Sequence, residues 1–323
     1  MSGKLKETPI SGKIWFSAIF FGLIGQIAWI VENMYFATFA QDVFANSGRS
    51  DMSYVVTTLM VILSAIAATV TTIFAGAWSD KAGKRKPFIS IGYIFWGITI
   101  MLFAFLPMKA SAKSLVLIAV LIVLFDCIMT FAGSTSNDAA FNAWVADNTD
   151  ETNRGKINGI LSILPVIAVV IVFVGLGNLY NSANESNALF FIVLGSIPIA
   201  SGILALFLLK DSDTIKKSEN SISEELFFGF KKETFKANKM LYIILAIGSI
   251  AIVATHTYII CEYSARMSAI LENIKNSDSE ALCIDDDIVK TKTHPSLFLS
   301  QEDMLAGWVL PVRVYDKTIT FCD

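Results

Sequence analysis

Histidine is almost missing from these 323 residues, which hold only His256 and His294. That leaves little material for histidine-based acid–base chemistry or a histidine-rich metal site. The four cysteines, Cys127, Cys261, Cys283 and Cys322, form no CxxC pair and share no metal-ligand spacing. They give neither a disulfide framework nor a zinc site. Charge is scarce as well: 16% of residues are charged, against about 25% in soluble domains. No stretch is basic enough to track phosphates, so no nucleic-acid partner is expected. A phosphate-cradling glycine loop, a nucleophile elbow and a paired catalytic motif are all lacking, so the chain is read as a non-enzyme with no cofactor. Strands of about ten residues with alternating polarity, the mark of a membrane β-barrel, are also missing.

What the sequence does have is apolar length. It is 54% hydrophobic, with a mean hydropathy of +0.60. A bilayer core about 30 Å thick takes roughly 20 apolar helical residues. Uncharged runs of that order cover 14–31, 52–79, 87–108, 157–184, 186–209 and 240–261, and a further run, 114–145, is broken by Asp126 and Asp138. In lipid the backbone must be satisfied within each segment, so these read as helices of an all-α integral membrane protein. The run at 14–31 is too long for a signal peptide and has no clear cleavage site, so it reads as a retained first transmembrane helix.

Lysine and arginine set the orientation. Segments on the N-terminal side (1–13, 78–87, 147–156, 210–239) carry 16, and those on the other side (41–53, 107–113, 180–187) carry 3. The positive-inside rule makes the N-terminus cytoplasmic, in a multi-pass protein of the cell membrane, and argues against a seven-helix receptor. The expected organisation is a cytoplasmic N-terminus (1–13), a six-helix bundle (14–209), a lysine-rich cytoplasmic linker (210–239), a seventh helix (240–261) and a tail whose fold is not legible (262–323). Six helices, a long charged linker and then another helix is the layout of transporters built from two six-helix halves. The tail has no run of spanning length. The expected partners are therefore the lipid bilayer, a small solute with its coupling cation, and a second transporter half or another copy of this chain. The alternative is a truncated, non-transporting membrane protein that binds a partner.

Ionisable groups inside a span are costly and usually face a cavity. Glu32 lies toward the end of the first helix; it is either a proton-loading group or a solvated group at the outer interface. Asp126 sits near the middle of the fourth helix with no basic partner three or four residues away, so it serves either solute and proton binding or a structural hydrogen bond. Asn137, Asp138 and Asn142 share part of one face of that helix. They line the cavity or gate, or satisfy one another. His256 would suit proton coupling if the seventh helix forms. Small residues at Ser64-Ala65, Ala67-Ala68, Gly175 and Gly177 are expected to let helices pack closely, and Pro165 to kink the fifth helix.

The segment Gly76-Ala-Trp-Ser-Asp80-Lys81-Ala-Gly83-Lys84-Arg85-Lys86-Pro87 joins the second and third runs. It resembles the G-x-x-x-D-R/K-x-G-R-K/R signature of the major facilitator superfamily. Gly76 is expected to let the helix end pack closely, Gly83 to form a tight turn, and Asp80 to face a helix N-terminus or a basic side chain. Lys84-Arg85-Lys86-Pro87-Phe88-Ile89 is similar to a stretch of the sucrose–proton symporters, which lie close to the glycoside–pentoside–hexuronide:cation symporters. Gly25-Gln26-x-x-Trp29 with Gln41, and Phe125-Asp126 with Ala143-Trp-Val-Ala-Asp147, are similar to further motifs of that group. The resemblance covers roughly residues 15–160. It implies a six-helix bundle of this superfamily's type at 14–209 and symport of a sugar or glycoside with a cation, a proton in the first instance. It also implies binding roles for Gln26, Trp29, Glu32, Asn33, Asp126, Asn137, Asp138 and Asn142, and a cytoplasmic gate at Gly76, Asp80, Lys81, Gly83, Lys84, Arg85, Asp147 and Arg154. Two positions depart from the group: Asn142 stands where it has arginine and Glu32 where it has glutamine. The resemblance therefore supports a solute–cation symporter better than it supports sucrose as the solute.

Overall fold

A computed structural model describes residues 9–184, 186–212, 215, 217, 222–228, 231–251, 254, 258, 283, 284, 320 and 321. Six of the described helices are long and apolar enough to cross a membrane: α1 Gly12–Asn46, α2 Met52–Ala82, α3 Lys86–Phe105, α4 Ala112–Asp147, α5 Arg154–Leu179 and α6 Ala188–Leu208. The all-α membrane architecture expected from composition is therefore observed, with α1 to α6 in one compact unit, 1–229. That unit also holds the short α7, Ile222–Leu226. The second unit, 230–323, contains α8, Lys232–Ala237, and an apolar α9, Lys239–Ala251. The expected seventh span is thus described only in its first half. Most of 252–261, His256 included, lies outside the described residues, as does the tail 262–323 apart from a two-residue parallel pairing of β1, Cys283–Ile284, with β2, Thr320–Phe321.

Helix ends follow local chemistry. The Ser11 hydroxyl accepts the Ile14 N–H and caps α1. Gly83, at φ 61°, closes α2 in the left-handed conformation. Pro87 sits in the first turn of α3, where its missing N–H costs nothing. In α5 the helix is interrupted at 162–163, just before Pro165, as a proline in that position dictates.

One helix runs well past the uncharged stretch that announces it. α1 continues 15 residues beyond the run that ends at Val31. At 35 residues it is about 52 Å long, more than a bilayer core requires. Charge did not end the helix because Glu32 is buried against a neighbouring helix. α1, α4 and α5 each contain a π-helical segment, at Val31–Phe36, Ser134–Phe141 and Ile171–Leu176. Such wide turns are uncommon and concentrate at functional positions.

Close packing is concentrated between α3 and α6. A Cβ at Gly195 would lie 2.5 Å from the Gly97 carbonyl oxygen, and one at Gly202 would lie 2.6 Å from that of Ser90. These glycines let the two backbones touch. The small residues singled out from the sequence do not do this. Ala65 is exposed, Ser64, Ala67 and Ala68 are half-buried, and a Cβ at Gly175 would meet open space. Only Gly177 is tight, 3.0 Å from the Tyr35 hydroxyl. α2 and α5 present apolar side chains such as Val61, Ile66, Val166 and Val174 outward, as helices facing lipid do. Phe36, Phe39, Phe103 and Phe191 form the aromatic core of α1, α3 and α6.

Candidate functional site

The polar candidates from the first and fourth runs meet where the π segments of α1 and α4 lie. Glu32, 8% exposed, is in the first π segment. Its Oε1 is 2.6 Å from Thr130 Oγ1, and its Oε2 is buried with no hydrogen-bond partner. Thr130 is one helical turn after Asp126 on α4, and its hydroxyl is also 2.9 Å from the Asp126 carbonyl oxygen. The Asp126 side chain is 2% exposed. Asp126 and Asp138 are both close enough to act on Glu32 electrostatically. A buried set of carboxyls with no basic partner among the described residues is expensive unless protons or a cation neutralise it.

Asp138 and Asn137 lie in the α4 π segment. Asp138 accepts from Ser134 Oγ at 3.2 Å and Asn137 Nδ2 at 3.3 Å, and the Trp29 indole N–H is directed at it. Asn137 Oδ1 is 3.1 Å from the Tyr93 hydroxyl, which in turn lies 2.7 Å from the Phe21 carbonyl. This junction of α1, α3 and α4 depends on Gly25. A Cβ there would sit 2.8 Å from Asn137 Cγ and 2.9 Å from the Tyr93 oxygen. Trp29 packs edge-on against Trp96, with centroids 5.1 Å apart. Gly133 makes room for both, since a Cβ on it would lie 2.8 Å from Trp96 and 3.1 Å from Trp29.

The remaining candidates are less central. Gln26 is half-buried beside Gly25. Asn33 is exposed, and its amide turns back to the Trp29 carbonyl at 2.8 Å. Asn142 is also exposed, donating to the Asp138 carbonyl at 3.1 Å. The sequence reading missed Thr130, Tyr93, Trp96 and Gly133. Of these only Thr130 left a readable signal, its four-residue spacing from Asp126.

A second network lies at the end of the bundle where α2 meets α3. Arg85, 6% exposed, donates Nε to Asp147 at 2.9 Å and its terminal nitrogens to Asp80 and Ser79. Burial works against the guanidinium charge, but the Asp147 and Asp80 carboxylates outweigh it and hold the group above the usual arginine range. Asp211, just beyond α6, accepts the main-chain N–H groups of Arg85 and Lys86, both at 2.8 Å. The Trp144 indole donates to the Lys210 carbonyl at 2.8 Å. The loop therefore ties together α2, α3, α4 and the chain leaving α6. Lys81 and Lys84 are exposed. Gly83 packs against Lys217, whose Cγ would be 2.5 Å from an added Cβ. Two expectations need correction. Gly76 has open space around it rather than a close neighbour. Arg154 does not reach this network: it folds onto its own loop, bonding Thr149 and the Ala146 carbonyl at 3.1 to 3.2 Å, because its position starting α5 points it back along that turn.

At the opposite end, the Tyr180 hydroxyl donates to Asp42 Oδ2 at 2.8 Å, and Asn46 bonds the Met108 and Ser182 carbonyls at 3.2 and 3.1 Å. Burial, and then the neighbouring Asp42 carboxylate, push the Tyr180 hydroxyl above the usual tyrosine range.

A family model described as Major Facilitator Superfamily matches residues 14–272. No curated protein and no solved structure matches the chain.

Proposed function

The chain belongs to the Major Facilitator Superfamily, and from that premise we propose that it carries a small solute, a sugar or glycoside, across the cell membrane by symport with a proton. Membership makes it a multi-pass membrane transporter protein; the solute and the coupling are our reading. The observation that carries the reading is the buried contact of Glu32 on α1 with Thr130 on α4, one helical turn after the buried Asp126. No lysine, arginine or histidine occurs in 14–48 or 114–153; the only basic residues of α1 and α4 are Lys13 and Lys113 in their first turns, far along the sequence from Glu32 and Asp126. A proton can neutralise these acids, and it can leave again when the helices move apart. Beside the acids, the half-buried Trp29, packed on the buried Trp96, offers an aromatic face, and Asn137 and Asp138 offer hydrogen-bonding groups suited to solute hydroxyls. The Arg85 network belongs to the cytoplasmic gate in this reading, with the N-terminus on the same side.

The test is uptake of a panel of sugars and glycosides into proteoliposomes under an imposed proton gradient. Gradient-driven uptake of one of them, reduced at least tenfold by Glu32→Gln or Asp126→Asn, is expected. Folded protein that takes up none of the panel overturns the reading and leaves a partner-binding membrane protein in its place.

A further inference from the structure

Thr130 has one hydroxyl hydrogen and two acceptors within reach. Its oxygen is 2.6 Å from Glu32 Oε1 and 2.9 Å from the Asp126 carbonyl oxygen, and it is 1% exposed, so water does not compete for it. One hydroxyl donates once and can also accept. The arrangement therefore has two complete forms. With Glu32 ionised, the Thr130 O–H donates to the carboxylate. With Glu32 protonated, the carboxylic O–H donates to Thr130 Oγ1, which frees the Thr130 hydrogen for the Asp126 carbonyl. In passing between them a proton from water forms the O–H bond of Glu32 and the Thr130 hydrogen rotates; no other covalent bond changes.

We propose that Thr130 is a positioning residue that transmits the protonation of Glu32 on α1 to the main chain of α4. The inference rests on reading Glu32 as a proton carrier. A threonine hydroxyl donating to the carbonyl four residues earlier bends a helix. Proton uptake at Glu32 switches that bond on, one turn before the π segment Ser134–Phe141 that holds Asn137 and Asp138. A proton on α1 thus alters the α4 geometry that presents the solute-binding groups. The titratable groups of α4 that face Glu32 are Asp126, Cys127 and Asp138. They stay in place when Thr130 is changed.

The experiment is an infrared pH titration of the full chain in lipid, without solute, following the carbonyl band of protonated carboxyls. The wild type should show a pH-dependent band that Glu32→Gln removes. In Thr130→Val, nearly the same size but without the hydroxyl, that band should move to higher frequency. Its midpoint should shift by about one pH unit or more, a tenfold change in proton affinity. Thr130→Ser should restore both. If Thr130→Val does not fold by circular dichroism, Thr130→Ala gives the same readout. A band and midpoint in the valine or alanine variant equal to wild type overturn the proposal, as does a wild type with no Glu32-dependent band. The assay needs no transport. A failed uptake experiment therefore leaves it standing, and a band indifferent to Thr130 leaves the transport reading untouched.

Discussion

Asp211 Oδ1 accepts the main-chain N–H of Arg85 at 2.8 Å, and that of Lys86 at the same distance. A carboxylate from the segment leaving α6 therefore caps the start of α3, where unpaired N–H groups and the helix dipole favour a negative charge. Asp211→Ala should cost about 1 kcal/mol. Asp211→Asn should cost less, because an amide oxygen can still accept. Thermal unfolding in detergent measures both, and an alanine variant as stable as wild type would show that the cap contributes nothing.

Arg85 is held by three acceptors on two helices, Ser79 and Asp80 on α2 and Asp147 on α4. A lysine has one compact ammonium and cannot reproduce the planar fork. Arg85→Lys is expected to lose about 2 kcal/mol, the scale of a hydrogen bond between charged groups. Because Asp147 is 24% exposed in its side chain and Asp80 is 42% exposed, solvent keeps the loss from growing larger. Combining Arg85→Lys with Asp147→Asn should cost less than the two separate losses together. Strict additivity in the unfolding free energies would rule out a direct coupling.

The six spans and the Gly83 turn could be read from the sequence because each depends on local chemistry: apolar length in one case, a residue that tolerates positive φ in the other. Glu32 and Asp126 stood out because charge inside a span is rare. The contact of Glu32 with Thr130, one turn from Asp126, was not legible, since it depends on how α1 crosses α4. The helix limits failed at Glu32 for the same reason. A charge looks like a helix end until a neighbouring helix is seen to bury it. Arg154 was misplaced because a loop sequence does not say which way its side chain turns. Asp211 was missed because a lone aspartate after a helix carries no signal until the start of α3 is placed beside it.

Glycine substitutions separate packing from motif membership. Gly195 lies against the Gly97 backbone, where a Cβ would come within 2.5 Å of a carbonyl oxygen, whereas Gly76 has open space. Gly195→Val should force α3 and α6 apart at a cost of about 3 kcal/mol. Gly76→Ala should leave stability unchanged or raise it, by up to about 1 kcal/mol of helix propensity. Unfolding midpoints of the two variants give the comparison. A Gly76→Ala protein destabilised as much as Gly195→Val would mean that the motif glycine has a packing role that the geometry does not show.

Tyr180 gives a pH-dependent prediction. Burial and the Asp42 carboxylate raise its hydroxyl above the usual range, so the folded chain keeps this proton at pH values where the unfolded chain releases it. The sign follows from linkage: the unfolded state binds fewer protons above the ordinary tyrosine value, and stability falls as pH rises. This contribution is complete below about pH 10 and is lost progressively above it. Tyr180→Phe removes both the titration and the hydrogen bond to Asp42. The variant should melt below the wild type at neutral pH, because Asp42 loses a donor, and the gap should narrow as pH rises above about 10. Melting curves of both proteins across that range decide the matter. A constant gap would mean that Tyr180 does not titrate differently in the folded and unfolded chain, and that its bond to Asp42 acts only as an uncharged tie between α1 and the end of α5.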